Sequence, residues 1–172
     1  LNSQTLYIMD IDGTLMDNSH RERLLPTGCG STTEQWDAFN LACIDDYPIV
    51  HMWQLMGELM RHGHHILFLT GRSEICQQET RVSLNRASRE IFSCKHLCDK
   101  VLCAQLLMRE QSDHRSAADY KADMIGRIAA LEGRRLVLVD DDERIIEACR
   151  PLVDDVIHVQ PFSGCTGIKK TK

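Results

Sequence analysis

No stretch of this chain is apolar for long enough to span a membrane, and its start lacks the basic segment and long apolar run of a signal peptide. Both absences predict a soluble, cytoplasmic protein with neither anchor nor leader. Positive charge is also short. With 20 Lys and Arg against 25 Asp and Glu the net charge is −5. Such a chain does not hold nucleic acid by bulk electrostatics, because non-specific affinity grows with the number of phosphates neutralised, so any contact of that kind has to be local. No Gly-x-x-x-x-Gly-Lys-Ser/Thr phosphate loop occurs, which excludes a P-loop kinase. The eight cysteines include no Cys-x-x-Cys pair, and the cluster Cys94-Lys95-His96-Leu97-Cys98, though rich in metal-capable types, has no second half elsewhere. Most therefore read as reduced core residues, which pack as small hydrophobes. No internal repeat is present.

What is there begins with size. At 172 residues, 43% hydrophobic and 26% charged, the chain can bury one core and is too short for two comfortable domains. A single domain over residues 1–165 with a flexible basic tail over 166–172 is expected. Leu6-Tyr7-Ile8-Met9 reads as a strand entering an acidic turn, and Thr27 to Thr33 as a Gly, Ser and Thr-rich connector. Thr32 or Thr33 can cap a short helix carrying Trp36, Phe39 and Leu41, and Met52, Trp53, Met56, Leu59 and Met60 recur at helical spacing up to Gly63. His65-Ile66-Leu67-Phe68-Leu69 is a continuous apolar run, as suits a parallel strand buried on both faces. A polar helix to about Arg89, with Arg81, Arg86 and Arg89 facing solvent, precedes a strand near Cys103 to Met108. A helix from Ala117 to Leu131, a strand from Leu136 to Val139, a helix from Glu143 to Cys149 and a last strand near Val156 to Val159 complete the series. This alternation predicts an α/β fold with a right-handed, doubly wound parallel sheet.

Against that background Asp10-Ile11-Asp12, followed by Gly13-Thr14-Leu15, places two carboxylates one residue apart at the end of a buried strand. Buried ionised carboxylates are too costly without a compensating cation, so the pair requires a metal ion, a lysine or both nearby. Thr70 and Asp140-Asp141 also end apolar runs, at the sheet edge where ligands of such folds sit, and Lys121 lies on a helix between them. The order Asp-x-Asp-Gly-Thr, a strand ending in Thr, a Lys, and a strand ending in Asp-Asp resembles the haloacid dehalogenase (HAD) superfamily of aspartate-nucleophile phosphatases. The resemblance implies a HAD-type Rossmann-like sheet with a small helical cap insertion at about 16–47. It implies that Asp10 is the nucleophile forming an aspartyl-phosphate, and that Asp12 is the general acid and then base, starting protonated in a partly desolvated site. Thr70 and Lys121 would donate to phosphoryl oxygens. Mg2+ would be held by Asp10, the Asp12 backbone carbonyl and Asp140, with Asp141 a ligand through water or an orienting group.

A second tier of residues narrows the resemblance. Arg21 follows the first motif, Thr70 continues into Gly71-Arg72, and Arg109 and Asp113-His114-Arg115 precede Lys121. This arrangement resembles the 3′-phosphatase domain of phage-type polynucleotide kinase-phosphatases over roughly residues 5–160. It implies substrate contacts from Arg21, Gly71, Arg72, Arg109, Asp113 and Arg115, nucleic-acid 3′-phosphate ends or nucleotides as substrate, and a separate kinase as partner. One departure stands out: that family often has an acidic residue four positions before the lysine, and here Ala117 occupies the place, with Asp119 closer. Between Arg109 and Lys121 there is no room for a folded cap, and Met16 to Tyr47 allows only a small one, so an open site that admits a polymer end is expected. Trp36 and Tyr47 read as cap core before base-stacking residues. Two alternatives stand beside this reading: a 5′- or 3′-nucleotidase acting on free nucleoside monophosphates, and a phosphatase-like binding module, which intact Asp10, Asp12, Lys121 and Asp140 disfavour.

Overall fold

A computed structural model describes residues 4–26 and 32–160. The basic tail, most of the Thr27 to Thr33 connector, Cys29 and Cys165 lie outside the described residues. In chain order the elements are β1 (Leu6–Met9), β2 (Met16–Asp17), α1 (Asp37–Leu41), β3 (Tyr47–Pro48), α2 (Val50–Arg61), β4 (His65–Ser73) and α3 (Gln77–Ile91). They continue with α4 (Lys95–Cys103), β5 (Gln105–Arg109), α5 (Ala117–Leu131), β6 (Leu136–Asp140), α6 (Glu143–Cys149) and β7 (Asp155–His158). The main sheet is parallel throughout, in the order β5-β4-β1-β6-β7. The chain winds outward from β1 first one way and then the other, so β1 lies where the strand order reverses.

The continuous apolar runs become strands because helices cover both faces. Met9, Phe68 and Val139 face one layer, against Trp53 and Met56 of α2, Leu84 of α3 and Leu97 of α4. Ile8, Leu67, Leu69 and Leu138 face the other, against Tyr120 and Ile125 of α5 and Ile145 of α6. The two-residue alternation of the strands makes this division, and each such buried side chain contributes roughly 1.5–3 kcal/mol of transfer free energy. Among the described residues no helix is long and apolar enough to cross a membrane.

Two details differ from the sequence expectation. The third apolar strand begins at Gln105 and runs to Arg109, because α4 continues through Cys103. Leu97, Cys98 and Val101 are spaced as one helical face and all are buried, so the segment from Cys94 serves packing. The Cys98 thiol donates to the carbonyls of Ser88 and Phe92, and all six described cysteines are free thiols. The solvent-facing assignment also changes for one arginine of α3. Arg81 is half-buried and donates to the carbonyls of Leu102 and Ala104, while the exposed Arg86 donates to the Asp46 carbonyl at 2.7 Å.

Two local features shape the sheet edge. Opposite β5, the β4 register passes from Leu69↔Leu107 to Ser73↔Arg109, four positions against two. Thr70, Gly71 and Arg72 form the bulge, which turns their side chains off the regular ladder. After β1 the chain makes a tight loop and pairs Met16 with Pro48 in the β2–β3 ladder. The segment between carries 3-10 turns at Ser19–Leu24, Thr33–Trp36 and Ala42–Asp45 as well as α1.

Candidate active site

β1 ends by handing Asp10 to the carboxyl edge of the sheet, its N–H donating to the Val139 carbonyl at 2.9 Å. Asp140 ends β6 beside it. Both are buried, at 5% and 0% exposure, and the Lys121 ammonium lies between them. It donates to Asp10 Oδ1 at 2.6 Å and to Asp140 Oδ2 at 2.7 Å. Ser116 caps α5 by accepting from the Asp119 N–H at 3.1 Å, and α5 buries Tyr120 and Ile125 on the sheet, which fixes Lys121 in the gap. Burial alone would lower the lysine's affinity for its proton, but Asp10 and Asp140 outweigh it and hold the pKa above its ordinary value. Asp10 is pushed well up, by burial first and then by Asp140 and Asp12, with Lys121 acting against the rise.

Asp141 completes an acidic group, since carboxylate oxygens of Asp10, Asp140 and Asp141 lie within 4.8 Å of one another. Burial and the neighbouring Asp140 raise Asp141. Thr14 donates to it at 3.2 Å. Gly13 makes this approach possible: its φ is +76°, and a Cβ there would collide with the Asp141 carboxylate. Three carboxylates against one ammonium leave a net negative pocket of hard oxygen donors without cysteine or histidine, which suits Mg2+. Among the described residues this is the one such cluster, and Cys94 and Cys98 do not form another.

Asp12 takes a different course. Its carboxylate is directed away from that cluster and accepts from Arg72 Nε at 2.7 Å, Arg72 Nη2 at 2.8 Å, Asn18 at 3.2 Å and Arg21 Nη2. Any share of Asp12 in a metal site is left to its backbone carbonyl. Burial would raise its pKa, yet the Arg72 guanidinium beside it, joined by Arg21, holds the carboxyl well below the usual range. The resting site thus holds Asp12 ionised, contrary to the protonated start expected from sequence.

Behind Asp12 lies a residue that the sequence reading passes over. Asp46 is 0% exposed and accepts from Arg21 Nε at 2.7 Å, Arg21 Nη2 at 2.8 Å and Arg72 Nη2 at 2.7 Å. Arg21 also donates to the Phe39 carbonyl at 2.9 Å and stacks on that ring, 4.0 Å from its centroid. Two guanidiniums and two carboxylates therefore form a closed, charge-balanced array. Nothing in the spacing along the chain marks it, since only the fold brings Arg21 and Arg72 to one buried carboxylate.

Most of the remaining candidates line an open cleft of about 770 Å³ in front of Asp10, Arg21 and Asp113 excepted. Thr70 is buried there and its hydroxyl accepts from the Arg72 N–H at 3.2 Å. Gly71, Arg109 and Arg115 also border it. Asp113 is held by Arg115 at 2.7 Å, which brings its carboxyl down to about 2. Arg21 is not at the cleft wall, so the structure gathers it to Asp12 and not to the open surface. Trp36 borders the cleft edge-on to Phe39 at 5.8 Å, whereas Tyr47 is 67% exposed and meets His20.

A parallel sheet reversing at β1, with Asp10, Thr70, Lys121 and Asp140 gathered at its carboxyl edge, has the form of a HAD phosphatase domain. Residues 4–162 match the family model of the polynucleotide kinase PNKP phosphatase domain, and the chain belongs to that HAD family. No curated protein sequence matches it. Among solved structures, it resembles a chain of the Pnkp1/Rnl/Hen1 complex with a TM-score of 0.64 and 20% identity, over 92% of this chain and 47% of that one. A chain of the Pnkp1/Rnl/Hen1 RNA repair complex gives 0.62 and 19%, over 92% and 43%. Protein Tyrosine Kinase A of Mycobacterium tuberculosis gives 0.51 and 18%, over 97% and 91%. At these identities the likeness is one of fold, and the chain spans less than half the length of the first two.

Proposed function

We propose that this domain is a magnesium-dependent phosphomonoesterase that removes 3′-phosphates from nucleic-acid ends through an aspartyl-phosphate. The observation that carries the reading is the Lys121 bridge between Asp10 and Asp140 at the switch point of a PNKP-type fold. Lys121 fixes Asp10 Oδ1, which leaves the other carboxylate oxygen to attack phosphorus as the bond to the 3′-oxygen breaks. Asp10, Asp140, Asp141 and the Asp12 carbonyl would hold Mg2+, whose charge would neutralise phosphoryl oxygens and so permit attack by one anion on another. Thr70 and Lys121 meet the charge that develops on the other oxygens.

Asp12 handles the proton. In its ionised state it is the base that the second half-reaction needs, taking a proton from the water that cleaves the Asp10–phosphorus bond. The first half-reaction needs its acid form, to protonate the departing 3′-oxygen. An incoming phosphate competes with Asp12 for Arg72, loosening the arginine hold and letting the carboxyl accept a proton. Support for nucleic-acid repair as the setting comes from the family and from the fold likeness to chains of the Pnkp1/Rnl/Hen1 RNA repair complex; a separate kinase is the partner proposed with it.

Asp10→Asn tests the core of this reading. The amide is a poor nucleophile and a weaker magnesium ligand, so turnover of both p-nitrophenyl phosphate and a 3′-phosphorylated oligonucleotide should fall by at least about a thousandfold. The variant should remain folded by circular dichroism, and chelator should abolish wild-type turnover reversibly. Near wild-type activity in the variant or in excess chelator would end the aspartyl-phosphate reading.

A further inference from the structure

We propose that Arg109 reads the phosphodiester one step inside the terminal phosphate, and that the small side chain of Ala117 leaves it free to do so; the inference rests on the phosphatase reading above. Four arginines border the cleft, and carboxylates occupy three of them. Arg72 is held by Asp12 and Asp46, Arg115 by Asp113 and Asp123, and Arg144 by Asp142. Arg109 has no ion pair among the described residues. Its Nη1 donates to the Arg115 carbonyl at 2.9 Å, its guanidinium carbon lies 5.6 Å from the centre of the Tyr120 ring, and its buried Nε has no partner. A desolvated guanidinium with an unused donor is the group in this cleft with most to gain from an anion. Burial lowers its pKa, with the charge of the nearby Asp113 acting against the fall.

The reason for its freedom is local. A Cβ built on Gly71 would lie 3.4 Å from Arg109 Nη2 and 3.3 Å from the Ala117 Cβ, so both groups press on the same glycine. A carboxylate grown from Ala117 would therefore reach the guanidinium and neutralise it. Position fits the second phosphate better than the first. β5 is two strands away from β1, about 10 Å at the usual strand spacing, on the far side of Thr70 and Gly71. A phosphate bound at Asp10 leaves Arg109 for the next phosphate of a strand running along this edge.

The test compares two 3′-phosphorylated dinucleotides, one with a natural phosphodiester and one with an uncharged methylphosphonate linkage, with p-nitrophenyl phosphate as a third substrate. Wild type should favour the charged linkage about tenfold in kcat/KM, and this ratio needs no variant. In Arg109→Gln and in Ala117→Asp the ratio should fall to within about twofold, while Ala117→Asn should keep it, because an amide does not neutralise the guanidinium. Turnover of longer oligonucleotides by Arg109→Gln should also lose about 0.7 from the slope of log kcat/KM against log salt, the share of one single-strand phosphate. Equal turnover of the two linkages by wild type, or a ratio unchanged in Arg109→Gln, overturns the proposal. Asp10-dependent turnover of p-nitrophenyl phosphate in the same preparations separates that outcome from a failure of the phosphatase reading, in which no substrate would depend on Asp10.

Discussion

Replacing Asp46 by Asn perturbs the site from behind, at a carboxylate that lies outside the cleft and acts on it through Arg21 and Arg72. Asp46 is fully buried and accepts three hydrogen bonds from Arg21 and Arg72, with His20 Nε2 a further 3.0 Å away. The amide keeps the shape but removes the charge and turns a donor toward a guanidinium. Removing one partner from a buried ion pair costs about 3–5 kcal/mol, because the other charge stays buried. For a domain of this size about 2–4 °C of melting temperature goes with each kcal/mol, so the fall should be about 6–20 °C. The two arginines then have Asp12 as their remaining carboxylate and hold its ionised form more firmly. Leaving-group protonation should suffer, so kcat should drop further for a 3′-phosphorylated oligonucleotide than for p-nitrophenyl phosphate, whose leaving group needs no proton. Thermal unfolding followed by circular dichroism, with kcat on both substrates, reads both effects. A melting temperature within about 2 °C of wild type, with the substrate ratio unchanged, would refute the closed array as a structural and electrostatic unit.

Two further predictions concern Asp12. Asp12→Asn should lower turnover of ordinary phosphate esters by about a hundredfold or more and of p-nitrophenyl phosphate by clearly less, and equal losses on both would remove it from proton transfer. Its proton linkage has a definite sign. The folded pKa lies below the unfolded value of about 3.9, so the unfolded state binds more protons in the acid range and the Asp12 contribution, present above that value, is lost as pH falls through the folded pKa. In chelator, unfolding free energy should fall more steeply below about pH 4 in wild type than in Asp12→Asn, and matching slopes would contradict the arginine hold.

The parts of this molecule legible in its sequence are those built on buried strands. Continuous apolar runs such as Leu136 to Val139 cannot be placed elsewhere, and three of them end in Asp10, Thr70 and Asp140 at one sheet edge, with Lys121 of α5 reaching between Asp10 and Asp140. β5 is less legible because Val101 to Leu107 is apolar almost without break, and the switch from helical to strand periodicity inside it leaves no turn residue as a mark. The pairing state of the arginines is less legible still. Whether Arg21 and Arg115 are open to a substrate or closed by Asp46, Asp113 and Asp123 depends on the three-dimensional distribution of carboxylates, which spacing along the chain does not express. The ionised state of Asp12 follows from the same distribution, since it is set by Arg72 across 60 residues of chain. Ala117 was visible as a departure from the family pattern, but its consequence for Arg109 needed the Gly71 contact.

The measurement that bears most directly on polynucleotide 3′-phosphatase activity is kcat/KM in Mg2+ for one oligonucleotide carrying phosphate at its 3′ end, the same oligonucleotide carrying it at its 5′ end, and the matching nucleoside 3′- and 5′-monophosphates. The 3′-phosphorylated oligonucleotide should lead every other substrate by at least about tenfold, equivalent to some 1.4 kcal/mol of added transition-state stabilisation from the polymer. Faster release from free mononucleotides, or equal release from 5′ ends, would contradict it and assign this PNKP-type domain to nucleotidase work.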